Sequence, residues 1–491
     1  MSLEIQLGIT VGYLLLALAV GLLAYRLAER TAEDFYLASR TFGTVVLLFT
    51  TFATLLSAFT FFAGPNVAYA QGPEWILVMG LMDGIIFAIL WYVIGYKQWL
   101  LGRQHGYVTL GEMLGDRFGS KHLRGLIAGI GLLWLFPYVM LQQVGAGTAL
   151  EALTEGAVPY AAGAGLITAF MVLYVVVAGM RGIAWTDTIQ GAFMLVVTWV
   201  AMLWVLAAVG GPGVPTAGLA ETAPEHLALG SDHYTPQWML STAITIGFGV
   251  AMFPQVNQRF FTAGSKTVFK RSFVLWPILC VLLFVPSFML GAWALGLGIE
   301  VDVAAGDNVL PIVLGEYTPV WFAALVIAGA MAAMMSSSDS MLLSGSSYFT
   351  RDLYRPFIDR GLSARREDAI ARVGVVFFAT ASFVASLYNP ATLFELGDAA
   401  FSGFAQLALP VMVALYWRKT TRAGITAGIL ASQLFYLSSL FTATVPSSYA
   451  GWSAGIVGML LGLVLTVSIS TVTSPAAEEQ RAIYFEGLRA D

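Results

Sequence analysis

The chain has 491 residues, of which 58% are hydrophobic and only 11% charged, with a formal net charge of −5. Soluble domains run at about 45–50% apolar and roughly 25% charged, so a water-soluble globular protein is excluded. A mean hydropathy of +0.79 leaves too few charges to cover a body of this size, and much of its surface must face lipid. One cysteine, Cys280, and four scattered histidines, His105, His122, His226 and His233, rule out an intramolecular disulfide and a Cys/His metal cluster.

Apolar stretches of about 20 residues or more, read as membrane-spanning helices, number thirteen: 5–27, 43–70, 75–99, 124–150, 157–179, 183–209, 237–262, 272–297, 317–348, 369–388, 393–417, 423–444 and 451–473. The first has no basic residue before it and is long enough to cross a bilayer, so it is expected to be a span and not a cleaved signal. Lysines and arginines fall in odd-numbered connections and the tail, among them Arg26, Arg30, Arg40, Arg181, Arg259, Arg351, Arg418 and Arg489. Even-numbered connections carry acids instead, such as Glu221, Glu225, Asp232, Glu300, Asp302 and Asp307. The positive-inside rule then predicts an external N-terminus and a cytoplasmic C-terminus in a cell membrane.

The longest aqueous segments, 210–236, 298–316 and 349–368, are too short for a catalytic domain, and the tail 474–491 too short for a signalling one. No loop presents a nucleophile with a base, so an enzyme is not expected. The work is done within the bilayer, with no nucleic acid and no obligatory protein partner in view.

Charges near a bilayer centre cost several kcal/mol, which makes them functional candidates. Three acids stand there: Asp83 in span 3, Asp187 in span 6 and Asp339 in span 9. No lysine or arginine is expected deep in a span to neutralise them, so each must be protonated, hydrogen-bonded or paired with a mobile cation. Span 9 is dense in hydroxyls from Ser336 to Ser347, and Ala333, Ser336, Ser337 and Ser340 share one helical face. Hydroxyl oxygens are hard ligands of the kind an alkali cation needs, and small residues allow close helix approach.

Several stretches resemble the sodium/solute symporter family, whose members carry proline, pantothenate, monocarboxylates and sugars with sodium. They are Glu33 to Gly43, Ala53 to Ser57 with Gly64-Pro65, Ala178 to Gln190, Phe253-Pro254 with Arg259-Phe260, Ala332 to Ser337, and Thr350 to Tyr354. The resemblance implies an all-α polytopic protein with a LeuT-type core of five plus five helices. It divides the single transporter domain, 1–491, into a peripheral first helix (5–27), inverted repeats at 43–209 and 237–417, two C-terminal helices (423–473) and a cytoplasmic tail. The binding site belongs where the first helix of each repeat is broken. In span 7, Gly247-Phe-Gly249 is the expected break; in span 2 no Gly or Pro marks one near Ala53 to Ser57.

Carried over by residue, the resemblance implies a sodium site on the carbonyls of Ala53, Leu56 and Ala333 and the hydroxyls of Ser336 and Ser337. Some members hold a second sodium on an aspartate of span 6, here Asp187, with Ser336, Asp339 and Ser340. Asp339 stands where family members carry a small or hydroxyl residue, and Leu55 where proline transporters carry an aspartate. By position Phe59, Tyr138, Gln142, Phe248 and Met252 line the substrate cavity. The expected function is sodium-driven uptake of a small organic acid or amino acid by alternating access. The alternatives are proton coupling through Asp187 and Asp339, or a solute receptor or channel.

Overall fold

A computed structural model describes residues 2–25, 32–303, 308–388 and 391–486. Arg26, Arg30, Asp307 and Arg489, used above for orientation, lie outside these residues, as do the side chains of Glu33 and Ala178. Among the described residues, ten helices are long and apolar enough to cross a membrane, two further crossings are bent helix pairs, and Tyr160–Val176 is a shorter apolar helix. These elements follow the apolar stretches in order, as ten to twelve crossings by length, with the fifth stretch held by the shorter helix Tyr160–Val176. Spans 5 and 6 are separated only by a kink at Gly179, whose φ of +60° lies in the left-handed region. A Cβ there would sit 2.9 Å from the Phe35 ring.

Burial sorts the spans. Within its most apolar window span 9 (Val320–Phe357) is 83% buried, whereas span 1 (Leu3–Gly21) is 17% buried. Span 9 therefore runs through the centre of the protein; Ser336, Ser337 and Ser340 bond to other helices, while Ser338, Ser344 and Ser346 donate to carbonyls of their own helix. Spans 12 (Arg422–Phe441) and 13 (Ala454–Val472) approach through glycine: a Cβ on Gly428 would lie 2.6 Å from the Gly462 carbonyl.

The two bent pairs are the second and seventh spans. Span 2 consists of Thr44–Leu55 and Phe59–Gln71, turned by 65°. Span 7 consists of Pro236–Met252 and Pro254–Thr262, turned by 59°. The bend in span 7 corrects the expectation from sequence: the helix runs unbroken through Gly247 and Gly249 and ends at Phe253. Proline at the first position of the following helix lacks an N–H to donate, and so starts a new segment. The two glycines serve close approach instead. A Cβ on Gly247 would lie 2.6 Å from Ile86, and one on Gly249 would meet the Phe401 carbonyl.

At the basic end, span 9 is tied to the segment between spans 3 and 4. Arg124 binds Asp352 at 2.7 Å and Glu112 at 3.0 Å, and Arg351 binds Glu112 at 3.1 Å and Glu367 at 2.9 Å.

Candidate ion and substrate site

At the break in span 2, the helix ends at Leu55 and Leu56 turns extended, with φ −74° and ψ 124°. Backbone polar groups freed at mid-membrane must find partners inside the protein. Span 4 supplies one on its side, where Gln142 Oε1 accepts from the Ala58 N–H at 2.9 Å; beside it the Tyr138 and Ser57 side-chain hydroxyls are 3.1 Å apart. Tyr138 and Gln142 are four residues apart and share a helix face. Span 9 closes the other side, where the Ser337 hydroxyl meets the carbonyls of Thr54 at 2.8 Å and Leu56 at 2.5 Å. The last carbonyls of a helix have no intrahelical donors, so this seam is rich in unspent oxygens.

Of the oxygens named from the sequence, the structure brings together the Leu56 carbonyl and the Ser337 hydroxyl. Ala53, Leu56, Ala333, Ser336 and Ser337 are all buried, on the break and on the face of span 9 that packs against it. Leu56 and Ser337 are in direct contact. Ser336 donates to Asp187 Oδ1 at 2.5 Å. Neutral carbonyls and hydroxyls are the ligands a hard alkali cation takes.

Asp187 departs from the sequence reading. A fully buried Arg259, from the second half of span 7, lies 3.0 Å from Asp187 Oδ2, so the statement that no arginine lies deep in a span is corrected. Its Nη2 also donates to Ser340 Oγ at 2.6 Å, and Thr50 Oγ1 donates to Asp187 Oδ2 at 2.6 Å. The Thr54 and Ser340 hydroxyls are 2.9 Å apart. Spans 2, 6, 7 and 9 thus meet at one ion pair, and a guanidinium lies between Asp187 and Ser340, where the sequence reading set a second sodium. The missed signal was Pro254. It starts a helix within the membrane, which carries Arg259 inward and out of the connection to which it was assigned.

Asp339 is buried, and its Oδ1 has no hydrogen-bond partner. It lies within electrostatic reach of Asp187 and of Tyr13 in span 1. Beside the break lies a cavity of about 30 Å³. Phe59 and Tyr138 line it together with Asp83; Phe248 and Met252 are not among its lining residues, and Gln142 instead holds the break.

The sodium:solute symporter family model matches residues 35–432. The chain belongs to that family. It is 28% identical to the sodium/pantothenate symporter of Haemophilus influenzae over 81% of this chain and 84% of the relative. It is 26% identical to that organism's sodium/proline symporter over 73% and 74%. The fold matches a substrate-bound, outward-open sodium-coupled sialic acid symporter with a TM-score of 0.79, at 19% identity, covering 96% of this chain and 98% of that one. The protein is therefore a multi-pass membrane transporter of LeuT-like fold that couples solute uptake to sodium, and the family are transporters, not enzymes.

Proposed function

We propose that sodium is carried between spans 2 and 9, on the carbonyls of Ala53, Leu56 and Ala333 and the hydroxyls of Ser336 and Ser337. Spans 2–6 and 7–11 act as the two repeats, and a small organic acid or amino acid binds beside the break. The observation that carries this reading is the Ser337 hydroxyl in contact with the Leu56 carbonyl at an interrupted helix. A cation held across that seam binds only when the two bundles stand in one relative arrangement. It therefore shifts the population toward that arrangement, and the solute completes the closed state from which both move.

Asp187, already paired with Arg259, stands outside this sodium shell and locks span 6 to span 7. The pattern of basic connections supports an external N-terminus and a cytoplasmic C-terminus. Uptake of a solute panel into proteoliposomes, with and without an inward sodium gradient, tests the proposal. Sodium-stimulated accumulation that weakens in Ser337→Ala is expected, and flux indifferent to sodium overturns it.

A further inference from the structure

Among the described residues Asp83, like Asp339, differs from the buried aspartates that sit in ion pairs, and of these two only Asp83 lines the cavity beside the break. Asp187 is paired with Arg259, Asp34 with Arg181 and Asp352 with Arg124. Asp83 is only 6% exposed, yet its Oδ1 has no hydrogen-bond partner. It lines the cavity beside the break in span 2, where the rest of the wall is mostly apolar: Phe52, Phe59, Tyr138, Trp276 and Phe401 supply ring surface. No lysine, arginine or histidine is among the lining residues. Gly247 keeps the opposite helix clear, since a Cβ there would stand 3.2 Å from Asp83 Oδ1.

A single carboxylate in an aromatic box is the chemistry of organic cation recognition. A buried carboxylate needs a counter-charge, and ring faces attract a cation further through their quadrupoles. An anionic solute would instead meet a like charge in a medium of low dielectric. A cavity of about 30 Å³ admits a group of ammonium size. Phe59 and Phe401, with ring centroids 5.2 Å apart, close its wall and must part for a larger solute body.

We infer that Asp83 anchors a positively charged nitrogen of the transported solute, so that the substrate is an ammonium-bearing solute with an apolar body, zwitterionic or cationic, and not a simple organic anion. This rests on the solute binding beside the break, as proposed above, and narrows its class to the amino-acid-like side.

The test is sodium-dependent thermal stabilisation of the purified full chain by a matched panel: the protein amino acids, glycine betaine, choline and simple amines, against the corresponding deaminated carboxylic acids. Stabilisation confined to nitrogen-bearing solutes is expected, followed by their sodium-driven uptake into proteoliposomes. Asp83→Asn should lower affinity for the active solute by about tenfold or more, while Asp83→Glu retains part of it. Stabilisation by sodium alone reports whether each variant is folded, and the wild-type panel decides the matter without them. Sodium-driven uptake of a deaminated acid, no response to any nitrogen-bearing solute, or undiminished affinity in a folded Asp83→Asn protein would overturn the inference. The first of these leaves sodium symport intact, whereas sodium-independent flux removes the proposed function itself.

Discussion

Arg259 and Asp187 form an ion pair between spans 7 and 6, Nη2 to Oδ2 at 3.0 Å, and neither side chain reaches the surface. Such a pair resists loss of either member, because the survivor is a buried charge without a partner. Arg259→Met or Asp187→Asn alone should each cost on the order of 3–5 kcal/mol of stability, with much of it recovered when both are made together. Thermal unfolding of purified protein reads this directly. Equal melting temperatures for the single and double variants would mean that the pair is not the unit.

Ser337 tests the coupling ion. Its hydroxyl reaches the carbonyls of Thr54 and Leu56 without engaging the ion pair, so Ser337→Ala should act on sodium more than on folding. Losing one ligand oxygen at a desolvated cation costs on the order of 1–3 kcal/mol, a rise of about 5- to 150-fold in the sodium concentration for half-maximal uptake. Ser336→Ala should show the same shift and also a lower melting temperature, since Ser336 donates to Asp187. Unchanged sodium dependence in both variants places the ion elsewhere.

The guanidinium between Asp187 and Ser340 bears on how many ions move. A sodium ion beside Arg259 would be repelled, so uptake should rise with sodium with a Hill coefficient near one, and Asp339→Asn should leave that coefficient unchanged. A coefficient clearly above one that falls to one in Asp339→Asn would instead restore a second sodium on Asp187, Ser336, Asp339 and Ser340.

Gln142 serves the scaffold. With Gln142→Leu the Ala58 N–H loses its acceptor at mid-membrane, which should cost about 1–3 kcal/mol in thermal stability. A variant as stable as the parent would show that the break is held without span 4.

Orientation is checked by reporters. One at the C-terminal end should read cytoplasmic, and one inserted near Thr222 external. The opposite pair of readings would invert the topology.

Sequence by itself determined the membrane class, the order of the spans and the cluster of hydroxyls on span 9. Hydropathy and helical periodicity are local properties that lipid and the 3.6-residue repeat impose segment by segment. Ser337 is nameable from the hydroxyl face of span 9, and Leu56 only through a resemblance. Their contact joins positions 281 residues apart, and no local pattern reports it. The break in span 2 carries no Gly or Pro, and Gln142 and Ser337 satisfy its backbone from other helices. In span 7 local glycines misled: they make room for neighbouring helices, and Pro254 starts the second segment. Tertiary structure alone decided the fate of the three acids. Whether a buried carboxylate is neutralised depends on what another helix brings to it: Arg259 reaches Asp187, while Asp83 is left facing an aromatic cavity with no counter-charge in its wall.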